Sequence, residues 1–208
     1  MIKNIIFDWS GVINDNFVIF HKVVARIFKK YNVPPISIEE LRREWQQPYM
    51  LFYKKYMPVL EEAQEMADYQ EAYVFITSQY PVQPYPGIRN TLEKFRQVGI
   101  NLIILSSDSL ENILSEIKQF DLEGFFSDIN SNIHDKRSVV KEIIRKNNFL
   151  PNETIFIGDT DHEIEAGQIA KIKTGAVTWG FQNQEVLVAA KPDFIINNLA
   201  ELEKIILG

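Results

Sequence analysis

Apolar residues crowd positions 2–7 (Ile2, Ile5, Ile6, Phe7) and stop at Asp8, with Gly11 close behind. A short apolar run ended by a turn signal fits a strand buried on both faces, as in a parallel sheet. From Asn16 to about Tyr80 the period changes. Phe17, Phe20, Val24, Ile27, Phe28 and Tyr31 recur at helical spacing until Pro34-Pro35 stops them. Ser37 followed by Glu40 has the form of a capping box ahead of Leu41 and Trp45. Leu60 to Ser78 reads as one long helix with Met66, Tyr69, Tyr73 and Ile76 on one face. The aromatics Trp45, Tyr49, Phe52, Tyr53 and Tyr56 read as packing between helices. No strand pattern interrupts this block, which is expected to be all-helical.

The Pro-rich stretch from Pro81 to Gly87 closes the block, and strands and helices then alternate. A helix is expected over 88–97, ended by Gly99, then a strand over 101–105 and a helix over 109–119. A weaker strand near 125–129, a helix over 137–147 and a strand over 154–157 follow. A further helix and short strands near 173–177 and 193–196 complete the pattern. Alternation of this kind predicts an α/β fold: a three-layer α/β/α, Rossmann-like core with a parallel sheet. Residues 1–14 and 86–208 would form that core, with residues 15–85 inserted after the first strand as a small helical cap.

Composition narrows the function. The 208 residues are 46% hydrophobic and 24% charged, a globular balance. The net charge of −6, with no basic cluster beyond Lys29-Lys30 and Lys54-Lys55, argues against a nucleic-acid partner. No window approaches the ~18–20 apolar residues of a membrane span, and the first apolar run is too short for a signal peptide. The absence of cysteine excludes disulfides, thiolate metal sites and a cysteine nucleophile, and suits a reducing compartment. A cytoplasmic protein is expected.

Three expected strands end in polar residues: Asp8, Ser106-Ser107 and Gly158-Asp159. Ligands bind at that edge in open parallel sheets. A carboxylate can attack phosphorus. Mg²⁺ takes oxygen ligands, commonly one or two carboxylates, and Asp8 and Asp159 would supply two. A serine hydroxyl and the Lys136 ammonium would hold phosphoryl oxygens. Plainer roles stand beside these. Asp108 and Ser107 read as caps of the helix over 109–119, Asp161 as a solvent-facing turn residue, and His134 and His162 as surface loop residues. Trp9 fits a substrate contact or a support for its loop equally well.

Phe7-Asp8-Trp9-Ser10-Gly11-Val12, Ile104-Leu105-Ser106-Ser107, Lys136 and Gly158-Asp159-Thr160-Asp161-His162-Glu163 resemble the four motifs of the haloacid dehalogenase-like hydrolase superfamily. Pro84 to Arg89, Thr160 to Gly167 and the helical insert resemble its phosphoglycolate phosphatase-like branch, with a helical C1-type cap. The resemblance implies that Asp8 is the nucleophile and a Mg²⁺ ligand. It makes the Ser10 backbone carbonyl and Asp159 the further ligands. Ser106, Ser107 and Lys136 would bind the phosphoryl group. Glu163, where the family usually has Asp, would hold a Mg²⁺-bound water or Lys136. The implied function is Mg²⁺-dependent hydrolysis of a small phosphorylated metabolite through an aspartyl-phosphate.

Ser10 departs from the pattern. The family's phosphatases usually carry a second Asp at this position as general acid and base, help typically worth ~10²–10⁴-fold. A leaving group that needs little protonation would tolerate the change. A cap residue such as His21 or Lys22 could replace the acid. The alternative function is a weakly active or non-catalytic phospho-ligand-binding protein. A phosphonatase-type C–P hydrolase would need a cap lysine, for which Lys54 and Lys55 stand without the surrounding motif. Asp159 argues against dehalogenation.

Overall fold

Ile5, Ile6 and Phe7 have no exposed surface, because their strand lies mid-sheet with a neighbour on each side. The computed structural model describes residues 1–46 and 48–208. Along the chain come β1 (Asn4–Phe7), α1 (Phe17–Lys30), α2 (Ile38–Glu44), α3 (Met50–Tyr56), α4 (Glu62–Thr77) and α5 (Ile88–Gln97). Then follow β2 (Asn101–Leu105), α6 (Leu110–Gln119), β3 (Asp128–Asn130), α7 (Val140–Lys146) and β4 (Thr154–Gly158). The chain ends with α8 (Asp161–Ala170), β5 (Lys173–Val177), α9 (Gln184–Ala189), β6 (Phe194–Ile196) and α10 (Leu199–Leu207). It divides into two compact units, residues 1–15 with 84–208, and residues 16–83.

The first unit is an α/β layer structure around a six-stranded sheet of order β3-β2-β1-β4-β5-β6. Every pairing is parallel. Registration explains the core. Ile6 stands opposite Ile103 on one side and Phe156 on the other. These three, with Leu105, meet Val140, Ile143 and Ile144 of α7 and Ala166 and Ala170 of α8. Each large apolar side chain fully withdrawn from water in this way contributes about 1.5–3 kcal/mol. Helices α5 and α10 pair with each other elsewhere on the unit: Glu203 accepts from Thr91 Oγ1 and Lys94 Nζ, both at 2.7 Å. The weak strand expected near 125–129 is β3, a short edge strand beginning at Asp128. The helix expected over 137–147 is split. A 3₁₀ turn, Lys136–Ser138, comes first, its start fixed by the Asp135 carboxylate accepting from the Arg137 backbone N–H.

The second unit consists, among the described residues, of helices. Phe20, Phe28, Trp45, Phe52, Tyr53 and Tyr56 pack ring on ring, with centroids 4.7 Å apart for Phe20–Trp45 and 5.0 Å for Phe28–Tyr56. The buried face of α4 differs from the expected one. It carries Glu65, Asp68, Ala72 and Ile76, and Met66 is 53% exposed. Polar pairing turns the helix: Asp68 accepts from Lys30 Nζ and Tyr31 Oη at 2.6 Å and from Gln64 Nε2 at 2.8 Å. Among the described residues no helix is long and apolar enough to cross a membrane.

Candidate active site

The chain moves outward from β1 to β2 and β3, then crosses back to place β4 against the other side of β1. At such a reversal the loops leaving the carboxyl ends diverge and open a crevice. Asp8 leaves β1 there and Asp159 leaves β4. Asp8, Asp159 and Glu163 are all buried, and each offers a carboxylate oxygen within 4.8 Å of the others. Lys136, 4% exposed, reaches in from the 3₁₀ turn. Its Nζ lies 2.8 Å from Asp8 Oδ1 and 2.9 Å from Glu163 Oε1. Glu163 is itself fixed, because its Oε2 accepts from the Thr160 backbone N–H at 3.0 Å and from Thr160 Oγ1 at 2.6 Å, a capping box at the start of α8.

Three carboxylates around one ammonium leave a surplus of negative charge out of water. Burial pushes the Asp8 carboxyl up to about 7, despite the opposing pull of Lys136. Burial, and then the charges of Asp8 and Glu163, hold Asp159 well above the usual carboxylate range. Burial alone would raise Glu163, yet Lys136 and its other partners keep it low. Burial would lower Lys136, but Asp8 and Glu163 hold it raised and charged. Oxygen donors with unmet negative charge suit a hard divalent cation such as Mg²⁺. Asp8, Asp159 and Glu163 are the acids that lie close enough together to share such an ion.

A fourth strand end, after β5, closes on Asp159 without having been expected to. The Phe181 backbone N–H donates to Asp159 Oδ2 at 2.6 Å. A Cβ on Gly180 would run into the same carboxylate, and so would one on Gly11, whose φ of 78° also favours glycine. Gln182 then clamps the first residue of α8, accepting from the Asp161 N–H at 2.7 Å and donating to Asp161 Oδ1 at 2.9 Å. This loop carries no charge. In the sequence the loop shows as Trp179-Gly180-Phe181, just beyond the end of β5.

Several expected side roles change. Trp9 is buried and supports its loop: its indole N–H donates to Glu116 Oε2, and its ring stacks on Phe120 at 6.0 Å. Asn14 Nδ2 donates to the same Glu116 oxygen at 2.7 Å, so one buried carboxylate on α6 pins the whole turn after β1. His162 is 5% exposed and is no surface residue. Its Nε2 accepts from the Lys136 backbone N–H at 3.0 Å, and burial lowers its pKa, which keeps the ring a neutral acceptor. Helix α6 is capped by Ser109, whose hydroxyl accepts from the Asn112 N–H at 3.2 Å, and not by Asp108 or Ser107. Asp108 instead faces Ser10 and Ser106, and its Oδ2 accepts from their hydroxyls at 2.7 and 3.0 Å. Ser107 lies half-buried between Ser106 and Asp108. Within the helical unit, His21 Nε2 is 2.8 Å from the Ile36 carbonyl oxygen, and the Lys22 ammonium sits over the Tyr80 ring.

A family model described as haloacid dehalogenase-like hydrolase matches residues 5–177. The chain is similar to a phosphoglycolate phosphatase from Synechococcus elongatus, 30% identical over 123 residues that cover 58% of each chain. That match spans less than two thirds of the relative. Pyrophosphatase PpaX from Oceanobacillus iheyensis is 25% identical over 210 residues, covering 99% of this chain and 97% of the relative. In fold, the chain is similar to a haloacid dehalogenase-like family hydrolase from Streptococcus pneumoniae, with a TM-score of 0.80, 23% identity and 98% of each chain covered.

Proposed function

The chain belongs to the haloacid dehalogenase-like hydrolase family, and from that premise we propose that it is a Mg²⁺-dependent phosphatase of a small phosphorylated metabolite, acting through a phosphoryl group carried on Asp8. The observation that supports this reading above the others is the buried set of three carboxylates around Lys136. A site with no phosphoryl or cation to bind gains nothing from such a surplus of charge, since each unpaired buried carboxylate costs free energy.

In the first step an Asp8 carboxylate oxygen attacks phosphorus as the bond from phosphorus to the leaving oxygen breaks. Lys136 and Ser106, with Ser107, hold the phosphoryl oxygens as charge moves. Glu163 keeps Lys136 charged and aimed. Water then attacks phosphorus and Asp8 regains its carboxylate. Mg²⁺, when bound to Asp8, Asp159 and the Ser10 carbonyl, supplies positive charge that lets a phosphate anion approach two carboxylates. To the helical unit we assign the choice of substrate. The core and cap are taken as residues 1–14 with 86–208, and 15–85.

The two relatives are named for phosphoglycolate and pyrophosphate hydrolysis. A phosphoanhydride releases an oxygen that needs little protonation, so it suits a site with Ser10 where an acid is usual. Lys54 and Lys55, which a phosphonatase-type reaction would need, are both exposed. Lys55 is also paired with Glu44, and its hydrogen bond to that carboxylate raises its pKa, the reverse of what a Schiff-base lysine requires. Binding of a phosphorylated ligand without turnover is the second reading, and Ser10 is the observation that favours it.

The test is phosphate release from a panel of phosphate monoesters, acyl phosphates and phosphoanhydrides, with Mg²⁺ or with chelator. Turnover is expected to need Mg²⁺ and to fall about 10³-fold or more in Asp8→Asn. Turnover that persists in that variant would overturn the reading. Tight phosphate binding with no release on any panel member would favour the second.

A further inference from the structure

Position 10 lacks a carboxylate, yet a carboxylate faces it. Asp108 Oδ2 accepts from Ser10 Oγ at 2.7 Å and from Ser106 Oγ at 3.0 Å, and so joins the ends of β1 and β2. The Asp108 backbone N–H donates back to Ser106 Oγ at 3.1 Å. The loop holding Asp108 is fixed from the β3 side, where the Asn132 N–H donates to the Asp108 carbonyl at 2.9 Å and the Ile133 N–H to the Ser106 carbonyl at 3.0 Å. The Asp108 side chain has no capping duty, because Ser109 caps α6.

An ionised carboxylate only accepts hydrogen bonds. Both hydroxyl protons therefore point at Asp108, and a hydroxyl whose proton is committed can only accept from any further partner. This orients Ser10 Oγ as an acceptor. Ser106 is under a different demand. To hold a phosphoryl oxygen it must turn its proton away from Asp108, which leaves Asp108 to Ser10 alone.

We infer that Asp108 is a positioning residue for the second half of the reaction, holding the Ser10 hydroxyl as the acceptor for the water that attacks phospho-Asp8. The inference rests on the hydrolase reading. In that step the water oxygen bonds to phosphorus, the bond from phosphorus to the Asp8 oxygen breaks, and Asp8 leaves as a carboxylate. Both water hydrogens depart with the phosphate product. Asp108 gains no proton overall. Its part is to set the direction of one hydroxyl, and loading of the phosphoryl group strengthens that hold by withdrawing Ser106.

The experiment uses the whole chain, Mg²⁺ and the best substrate of the panel, with Asp108→Asn, Ser10→Ala and the double variant. Loss of a charge-assisted hydrogen bond should lower kcat about 10- to 100-fold in each single variant and leave KM within about threefold. A phosphoryl adduct on Asp8 should build up in both, read by intact mass after rapid acid quench, with less or none in wild type. The double variant should be no slower than the slower single one. A merely structural role would lower the melting temperature and slow both steps, without the adduct. Wild-type kcat in Asp108→Asn beside an inactive Asp8→Asn overturns this inference alone. Turnover that survives Asp8→Asn overturns the hydrolase reading and this inference together. Should Asp108→Asn fail to fold, Ser10→Ala decides: a lowered kcat without adduct overturns the inference.

Discussion

In the helical unit Asp68 is buried against α1 and takes hydrogen bonds from Lys30, Tyr31 and Gln64. In the α/β unit Asp8, Asp159 and Glu163 are buried together around Lys136. Burial acts on both groups, with opposite results. For Asp68 it is outweighed by the three donors, and the pKa falls below the ordinary value. For Asp8 and Asp159 it wins, because one ammonium is shared and the carboxylates repel one another. Glu65, next to Asp68 on the same helix face, shows a third outcome. Burial pushes it up to about 7 against a weaker pull from the Tyr53 hydroxyl. The lesson is that burial alone does not mark a functional acid. A buried acid matched by donors is structural, one left to its proton is tolerated, and a cluster with fewer cations than acids asks for a ligand.

The largest test removes one surplus charge. Asp159→Asn keeps the shape between Gly11 and Gly180 and still accepts from the Phe181 N–H. Its Mg²⁺ affinity should drop about 10²-fold or more by calorimetry. The metal-free variant should melt higher than the metal-free wild type. A lower melting temperature would mean that the charge cluster is already balanced, and the contrast with Asp68 would fail.

A smaller effect follows from pH. Asp8 moves from 3.8 to about 7 on folding, and Mg²⁺ binds only its ionised form. Affinity should therefore rise with pH, and Asp8 alone makes it about tenfold weaker at pH 6 than at pH 8. In the metal-free protein the folded state holds more protons than the unfolded one between these values, so this group's contribution to stability declines as pH rises through that window. A pH-independent Mg²⁺ affinity would show Asp8 to be ionised throughout.

A further effect is expected at Glu65. Its pKa rises from 4.5 to about 7 on folding, so it too makes stability fall as pH rises between those values. Glu65→Gln should stabilise more at pH 8 than at pH 5, by about 2 kcal/mol for a shift of this size, read from urea midpoints. An unchanged pH slope in that variant would place the titration elsewhere and leave Glu65 paired like Asp68.

Much of the sheet was legible because its strands are buried on both faces and so written as apolar runs: 101–105, 154–157 and 173–177 appear where expected. That Asp8, Ser106 and Asp159 would meet at one edge followed from their places at strand ends. The partnerships were hidden. Asp108 beside Ser109 looks like a cap in any window that excludes Ser10, 98 residues away. His162 looks exposed between two acids until α8 is turned to bury it against Lys136. Met66 has the apolar character of a core residue, but Asp68 had three donors waiting and set the rotation of α4. Local patterns report which face wants burial. They do not report which distant donor will meet a polar group.

The central place of β1 has a consequence for synthesis. Of the six strands in the sheet it precedes the rest, and its neighbours arrive 97 and 150 residues later, with Asn101 and Thr154 opposite Asn4. The helical unit is compact within residues 16–83, all of which precede β2. On the ribosome, therefore, the helices are complete while Ile5, Ile6 and Phe7 wait without partners. Such distant pairing is slow, and an apolar strand left open is a natural substrate for chaperones. The segment that carries Asp8 is made before its partners and secured late, and the clamp on Asp159 closes only when Phe181 has emerged.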